Sequence, residues 1–264
     1  MKRRADRLGL DPYLGPFYRT LVKRPYWWFR CELVTVPTTR QFGDVSAQFV
    51  VEEPADLLYH ETDSERAVME DLLRTVNPDD VFYDIGANVG LFTCAVGQVV
   101  DTTAAFEPSP VAFQKLTTNV SLNDLDAHTV QVALAAQRES VELAVDRDDS
   151  QSRETTLLTG SKPEVDTELQ TVKTQRLDEF VSAADLPVPN VVKLDVEGAE
   201  LRALKGMGDL LDEVRVVYCE IHNRELAAAG ADRDDVLKLL SDRGLDPVEL
   251  KRLPGETEYV KASR

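Results

Sequence analysis

The sequence predicts an α/β fold, a doubly wound Rossmann-like sheet, and three stretches carry this prediction. Residues 81–100 read as a short apolar strand, a turn with two glycines, and a helix with apolar residues at helical spacing. A second apolar run, 104–106, ends in Glu107, and a third, 191–194, ends in Asp195. Strands that alternate with helices in this way are typical of a parallel sheet covered by helices on both faces.

The chain ahead of this sheet is predicted to be a cap on the core. We expect residues 1–76 to form this N-terminal extension and residues 77–264 to form the α/β domain. Alternating apolar and polar residues over 31–53, with a Gly-Asp turn between them, predict a small antiparallel hairpin. A helix is expected over 62–76, because Thr, Asp and Ser at its start can cap it.

Residues 1–30 have a charge opposite to that of the rest of the chain. Eight lysines and arginines oppose two aspartates there, and seven aromatic residues lie among them. We favour a helical extension whose aromatic side chains pack on the domain, since the adjacent Trp27 and Trp28 need a buried environment. The alternative is peripheral contact with an anionic membrane surface, or binding of a glycan or partner chain.

The overall composition indicates a salt-adapted cytoplasmic protein. The chain has 47 acidic and 30 basic residues, only ten of them lysine, and a net charge of −17. Acid-rich, lysine-poor surfaces stay soluble where salt screens every charge, and this charge argues against nucleic acid as a partner. The three cysteines lack disulfide or zinc spacing, and neither a membrane-length apolar run nor a signal peptide is evident.

The middle of the chain continues the alternation of helices and strands. Ser followed by Pro predicts the start of a helix over 109–123, and the next strand is expected at 130–134. Two further strands, 141–145 and 169–177, flank the polar loop 146–168. A loop of that length inside a domain is expected to be a lid or to be disordered.

The last third of the chain completes the predicted sheet. A helix is expected over 199–207, a strand over 215–222 and an amphipathic helix over 232–243. Two short closing strands are expected at 247–250 and 257–261.

The glycine turn predicts a nucleotide-type ligand with a positive group. Gly86 and Gly90 let the backbone approach a ligand closely, and the helix that follows offers unpaired N–H groups. Asp84 lies just before the turn, where it would repel a pyrophosphate and attract an ammonium or sulfonium group. Glu107, at the end of the next strand, can accept hydrogen bonds from both hydroxyls of a ribose.

Three motifs in the same order resemble the FkbM family of class I methyltransferases. They are VFYDIGANVG at 81–90, AFEPSP at 105–110 and VKLDVEGAE at 192–200, and the resemblance covers roughly residues 80–223. It implies a seven-stranded methyltransferase sheet and S-adenosyl-L-methionine as cofactor, with adenine beside the end of the strand that contains Ala133. The implied cofactor-binding residues are Asp84, Gly86, Asn88, Gly90, Glu107 and Ala133.

The acceptor side is expected at the ends of the later strands, where Asp195, Glu197, Glu220 and His222 collect. We interpret His222, Asp195 and Glu197 as catalytic residues, with His222 as the general base for a hydroxyl. The structural alternatives are a His222 that orients the adjacent loop and a Glu197 that caps the following helix. Mg²⁺ has no distinct ligand pattern here, so no metal site is predicted.

The predicted activity is methyl transfer from S-adenosylmethionine to a hydroxyl. The turn after Asp195 reads Val-Glu-Gly and lacks the Pro-Pro-aromatic sequence found in many nitrogen methyltransferases, which disfavours a nitrogen acceptor. The FkbM resemblance implies O-methylation of a small molecule or glycan. Two alternatives stay open at this point: an RNA methyltransferase, and a non-catalytic protein that binds the cofactor.

If the chain is salt-adapted, its melting temperature should rise steeply as KCl is raised to molar concentrations, because added salt screens the repulsion among its acids. Sucrose is the control, since it stabilises by exclusion from the surface without screening charge. A melting temperature that is flat in KCl would remove the argument for salt adaptation.

Overall fold

The fold is built on one large sheet with helices on both of its faces. The computed structural model describes residues 37–51, 65–146, 156–157, 167–252 and 257–264. The described strands are β1 (Thr38–Phe42), β2 (Val45–Phe49), β3 (Val81–Ile85), β4 (Thr102–Phe106), β5 (Ala127–Val130), β6 (Ala133–Leu134), β7 (Ser140–Asp146), β8 (Thr156–Leu157), β9 (Thr167–Gln175), β10 (Val191–Leu194), β11 (Val216–His222), β12 (Asp246–Arg252) and β13 (Thr257–Ser263). The described α-helices are α1 (Arg66–Thr75), α2 (Leu91–Val96), α3 (Pro110–Leu122), α4 (Leu177–Ala184), α5 (Glu200–Met207), α6 (Asn223–Ala228) and α7 (Arg233–Asp242), and a 3₁₀ helix (Gly208–Asp212) follows α5.

The main sheet has seven strands in the order β12-β13-β11-β10-β3-β4-β5. The five strands from β11 to β5 are parallel, and β13 runs antiparallel between β11 and β12. This confirms the predicted doubly wound α/β class and both closing strands. The chain proceeds from β3 towards β5 in one direction and from β10 towards β11 in the other. Ligands of such sheets bind where the order reverses, at the carboxyl ends of β3 and β10.

Strand β3 is buried on both faces because it lies at the centre of this sheet. Phe82 packs on one face with the β1–β2 hairpin and helices α1, α2 and α3. Tyr83 and Ile85 pack on the other face with α4, α5 and α7. Because side chains on both faces are buried, the strand is apolar along its length except at Asp84. Among the described residues, no helix is both long enough and apolar enough to cross a membrane.

The predicted hairpin is confirmed over Thr38–Phe49, where β1 and β2 pair antiparallel. The N–H groups of Gln48 and Val50 donate to the side-chain oxygens of Asn123 and Asn119 at 2.8 Å, which fixes the hairpin to α3. Helix α1 ends one residue earlier than predicted. The hairpin residues before 37, the whole of 1–30 and the capping residues 62–64 lie outside the described residues, and the division of the chain at residue 76 stays a prediction.

The predicted strand at 130–134 is wrong as a single strand. β5 ends at Val130, which is paired with Phe106, the last residue of β4. The residues after Val130 therefore have no strand of the main sheet to pair with. A short turn follows, with the Val132 N–H donating to the Val130 carbonyl at 3.1 Å. β6 then leaves the main sheet and pairs in parallel with β9 in a second, four-stranded sheet ordered β6-β9-β7-β8.

The predicted strand over 169–177 is also wrong at its end. β9 stops at Gln175, and helix α4, which the sequence patterns did not indicate, begins at Leu177. Asp178 and Glu179 lie in its first turn, where acidic side chains interact favourably with the helix dipole. Within the predicted polar loop 146–168, the structure describes the last residue of β7, the short strand β8 and the first two residues of β9.

Helix α5 holds the small sheet against the edge of the main sheet. A Cβ on Gly206 would lie 2.2 Å from the Ala135 carbonyl oxygen, so the helix backbone packs directly on the chain that follows β6. This contact keeps β6 beside the carboxyl ends of β3 and β10. Ala133 is thereby placed next to the crevice where the strand order reverses.

Candidate active site

The loop between β3 and α2 packs so tightly that its first glycine has no room for a side chain. Gly86, Asn88 and Gly90 have φ values of 76°, 50° and 87°, a region that glycine and asparagine adopt more readily than other residues. The Gly86 N–H donates to the Phe106 carbonyl at 2.9 Å. A Cβ on Gly86 would lie 1.7 Å from the carbonyl oxygen of Asp195. Glycine is therefore required where the turn meets the end of β10.

Glu107 is held beside this turn by two backbone N–H groups. Its Oε2 accepts a hydrogen bond from Asn88 N and its Oε1 accepts one from Ser109 N, both at 2.8 Å. Burial raises the pKa of Glu107 to about 7, against the effect of these two hydrogen bonds. Each carboxylate oxygen keeps a further lone pair, so Glu107 can accept two more hydrogen bonds from a vicinal diol.

A first cavity opens between the turn and the small sheet. Six of the predicted site residues line it: Gly86, Asn88, Glu107, Ala133, Asp195 and Glu197. Its apolar wall is formed by Val132, Leu134 and Leu143 together with Ile85 and Phe106. The cavity thus combines a polar rim on the main sheet with an apolar wall that reaches the small sheet, which suits a planar ring bearing a polar group.

Asp84 and Gly90 lie beneath this cavity and do not line it. The buried Asp84 Oδ2 accepts hydrogen bonds from the N–H of Thr93 at 2.9 Å and its hydroxyl at 2.6 Å. A Cβ on Gly90 would lie 2.6 Å from Leu116 Cδ1, so this glycine allows α2 and α3 to pack closely. The structure therefore places Asp84 as an anchor for the start of α2, and its contact with a cofactor stays a prediction.

Lys193, which sequence reasoning missed, is a buried cation at the centre of the site. Its side chain is 3% exposed, and Nζ lies 3.1 Å from the Gly86 carbonyl, 3.2 Å from Asp195 Oδ2 and 3.5 Å from Asp84 Oδ1. Nζ also lies 5.1 Å from the ring centroid of Phe92. Burial lowers the pKa of Lys193, but the charges of Asp195 and Asp84 outweigh it and raise the pKa above its ordinary value. The available signal was a lysine within an otherwise apolar strand, VVKLD.

The three predicted catalytic residues lie together, around the imidazole of His222. Glu200, which is fully buried, places Oε1 at 2.8 Å from His222 Nδ1 and accepts the Gly198 N–H at 3.0 Å. Because a carboxylate accepts, Nδ1 donates and Nε2 faces the other way. Nε2 lies 3.3 Å from Glu197 Oε2 and 3.9 Å from Asp195 Oδ1.

The acidic surroundings change the protonation of this cluster. Burial lowers the pKa of His222, but the hydrogen bond to Glu200 and the charges of Glu197 and Asp195 outweigh it and raise the pKa to about 10. Burial and repulsion by Asp195 raise the pKa of Glu220 to about 9. At neutral pH His222 is therefore a cation and Glu220 is neutral. A bound cation would lower both pKa values and displace these protons.

A second cavity lies on the other side of the cluster. It is lined by Glu65, Ala87, Asn88, Leu91, Phe92, Lys193, Asp195, Glu197 and Glu220. Asn88, Asp195 and Glu197 line both cavities, so groups bound in the two cavities meet at these residues. Glu65 is the residue immediately before α1, and it contributes to the lining of this cavity. No local pattern in the sequence distinguished it from an ordinary surface acid.

The family of the chain is indicated by a protein-family model. The model described as "Methyltransferase FkbM domain" matches residues 84–246, which is more than half of the chain. The turn, Glu107, Lys193 and the cluster around His222 all lie within the matched residues, whereas Glu65 lies outside them.

Two relatives and one solved structure similar to this chain are named as methyltransferases. The chain is 33% identical over 230 residues to "Hexuronic acid methyltransferase AglP" of Haloferax volcanii, a match that covers 86% of this chain and 89% of the relative. It is 24% identical over 241 residues to "31-O-demethyl-FK506 methyltransferase FkbM" of Streptomyces tacrolimicus, covering 81% and 90%. The crystal structure of "Methyltransferase FkbM" from Methylobacillus flagellatus aligns with a TM-score of 0.50 at 15% identity, over 74% of this chain and 46% of that one, and supports the fold alone.

The central position of Lys193 generates a stability prediction with a matched control. Lys193→Met should lower the free energy of unfolding by about 3–5 kcal/mol, because it leaves the buried Asp84 without its cation. Lys261→Met is the control, since Lys261 pairs with Asp71 at 2.7 Å while both side chains are about one quarter exposed. Its loss should be about 1 kcal/mol or less.

Urea unfolding followed by circular dichroism measures both losses. Adding Asp84→Asn to Lys193→Met should restore part of the stability, because the uncompensated charge is then removed. Equal losses in the two single variants would contradict the central role of Lys193.

Proposed function

The chain belongs to the FkbM family of methyltransferases, and from this premise we propose that it transfers a methyl group from S-adenosylmethionine to a hydroxyl oxygen of a sugar. The observation that carries the proposal is the meeting of two cavities at Asp195 and Glu197. Methyl transfer is an in-line displacement, so donor and acceptor must approach one point from opposite sides. Two cavities that share Asp195 and Glu197 allow donor and acceptor to meet at these side chains.

The first cavity fits the donor. S-adenosylmethionine supplies an electrophilic methyl group on a sulfonium. The free lone pairs of Glu107 suit the two ribose hydroxyls, and the bare backbone at Gly86 allows close approach of the ligand. The apolar surface beside Ala133, formed by Leu134 and Leu143, suits the adenine ring.

The charge of the site also favours this donor. Asp195 and Glu197 lie at the boundary of the two cavities, and Lys193 compensates Asp195 and Asp84 only in part. A site with surplus negative charge stabilises the positive sulfonium and ammonium groups. The same surplus disfavours a ligand with a pyrophosphate.

The second cavity fits a polar, hydroxylated acceptor. Glu65, Lys193 and Glu220 line it with charged or ionisable groups, which can donate to or accept from the hydroxyls of a sugar. The relative from Haloferax volcanii is named for its action on hexuronic acid, and the match spans most of both chains. We therefore propose a sugar of the uronic acid class as the acceptor, with a ring hydroxyl as the methylated group.

His222 and Glu200 line neither cavity, but Nε2 of His222 lies 3.3 Å from Oε2 of Glu197, which lines both. The predicted role of His222 is to take the hydroxyl proton, and the hydrogen bond from Nδ1 to Glu200 orients Nε2 for that role. With a pKa of about 10, Nε2 carries a proton at neutral pH, and this proton must be displaced before His222 can act as a base. Binding of the cationic donor contributes to that displacement, because a nearby positive charge lowers the pKa.

The cofactor assignment predicts that binding of S-adenosylmethionine depends on pH through Glu107. With a pKa of about 7 in the free protein, Glu107 is protonated at lower pH and loses acceptor capacity, so affinity should fall as pH is lowered from 8 to 6. Glu107→Gln should weaken binding at pH 8 by about 1.5–3 kcal/mol and remove this pH dependence. Calorimetry on both proteins provides the measurement.

Glu142→Gln serves as the control for this experiment, because Glu142 is an exposed acid on β7. It should bind with the wild-type affinity and pH dependence. Wild-type affinity in Glu107→Gln would remove Glu107 from the ribose site, and preference for a nicotinamide dinucleotide over S-adenosylmethionine would contradict the proposed cofactor.

The acceptor assignment predicts methylation of uronic acids and of glycans that contain them. The protein is incubated with methyl-labelled S-adenosylmethionine and either uronic acids or the corresponding neutral hexoses. Mass spectrometry should show a gain of one methylene unit in the uronic acids, and the label should survive mild alkali, because an ether is stable there. Alkali-labile label would identify a methyl ester and contradict the hydroxyl assignment, while leaving O-methylation intact.

A further inference from the structure

We propose that Asp195, Glu197 and His222 bind a divalent transition-metal cation of the Mn²⁺ type. One ligand atom from each of these residues lies within 4.8 Å of the others. The proposal rests on the function proposed above for the place of the acceptor, and it changes the role of His222. The Nε2 lone pair cannot bind a metal and accept a proton at once, so His222 would act as a ligand and the cation would acidify the acceptor hydroxyl. Metal binding itself does not require that function to be correct.

The distances between the ligand atoms suit one shared ion. Ligands placed about 2.0–2.2 Å from a metal in tetrahedral or octahedral geometry lie about 3.0–3.6 Å from one another. The separation of His222 Nε2 from Glu197 Oε2 is 3.3 Å, within that range. Asp195 Oδ1 lies 3.9 Å from Nε2, slightly beyond that range, and this side chain is 19% exposed, which leaves it room to move towards a shared ion.

The orientation of His222 is the second, independent observation. The imidazole belongs to a residue that is only 7% exposed. Its Nδ1 is bound by the buried carboxylate of Glu200, and its Nε2 faces oxygens of Glu197, Glu220 and Asp195 at 3.3, 3.8 and 3.9 Å. Without a metal, the proton on Nε2 faces these three carboxyl groups, and a metal cation would take the place of that proton. A carboxylate that orients the far nitrogen is the usual support of a metal-binding histidine.

Asp195 is oriented for the same purpose. Its Oδ2 lies 3.2 Å from the ammonium of Lys193, so its Oδ1 is the oxygen directed towards His222. Lys193 is itself fixed by the Gly86 carbonyl at 3.1 Å. The buried lysine therefore supports one ligand as Glu200 supports another.

The ligand types indicate the class of ion. One imidazole nitrogen with carboxylate oxygens suits Mn²⁺ and similar first-row ions better than Ca²⁺, which takes only oxygen ligands, or a thiolate-bound structural zinc. Asp195 and Glu197 also line both cavities, which leaves coordination positions open towards the acceptor. Oxygens of a sugar could complete the coordination there. No metal site was evident from sequence patterns, because His222 follows Glu197 after 25 residues and the three ligands have no motif spacing.

Electron paramagnetic resonance with Mn²⁺ alone tests the proposal on the full chain. The signal of free Mn²⁺ is titrated with protein in molar KCl, which suppresses weak binding to the acidic surface. Wild type should show one saturable site, with nitrogen hyperfine coupling from an imidazole ligand. His222→Ala and Glu197→Gln should each bind at least tenfold more weakly, and His222→Ala should lose the nitrogen coupling.

Glu200→Gln tests the support of the histidine and should weaken Mn²⁺ binding about 10–100-fold. His128→Ala is the matched control, because His128 is an exposed histidine on β5, and it should bind Mn²⁺ as wild type does. Melting temperatures establish that each variant is folded, and Glu197→Gln, at a side chain that is 25% exposed, keeps the test valid if Glu200→Gln does not fold.

Calorimetry with S-adenosylmethionine separates the two proposals. Loss of Mn²⁺ binding in the cluster variants with retained S-adenosylmethionine binding supports the metal site. Absence of a saturable site in wild type, or wild-type Mn²⁺ affinity in folded His222→Ala, overturns it even if S-adenosylmethionine binds. Mn²⁺ binding without any affinity for S-adenosylmethionine would instead contradict the proposed function and leave the metal site standing.

Discussion

The buried ammonium of Lys193 is the interaction on which the site depends. Adjacent parallel strands β3 and β10 place Asp84 opposite Lys193 in register, with Asp195 at the strand end just beyond. Two acids this close in a dry interior would repel each other, and the cation between them turns that repulsion into attraction. Because the same ammonium lies against the Gly86 carbonyl, it also fixes the glycine turn to the end of β10. One side chain thus helps to position the residues of both the first and the second cavity.

The remaining acids are accommodated in different ways across the site. The carboxylate of Glu107 is stabilised by hydrogen bonds from two backbone N–H groups, which leave lone pairs available for a ligand. Glu200 is compensated by the imidazole of His222, and Glu220 is neutral at physiological pH through its raised pKa. These different forms of compensation explain how one sheet edge holds many carboxyl groups.

The parts of the site that could be predicted are those whose signal is local in the sequence. Gly86 and Glu107 follow directly after apolar strands, so their place at the sheet edge was evident, and the seven-stranded fold followed from the same units. Glu200 could not be identified, because its partner is 22 residues away and an acid in the first turn of a helix is ordinary. The split of the predicted strand at Val130 was hidden for the same reason, since it depends on where the neighbouring strand ends.

The parallel pairing of β6 with β9 has a consequence for the order in which the protein matures. Ala133, which lines the first cavity, is paired with Thr174, so this part of the wall is held in place by a strand about forty residues later in the chain. Contacts between distant segments form late in folding, because the intervening loop must close first. On the ribosome, a nascent chain that has emerged only as far as β7 contains the glycine turn and Glu107 but lacks β9 and the β10 lysine that fixes the turn. We expect cofactor affinity only after β10 and the Asp195 and Glu197 that follow it have left the exit tunnel.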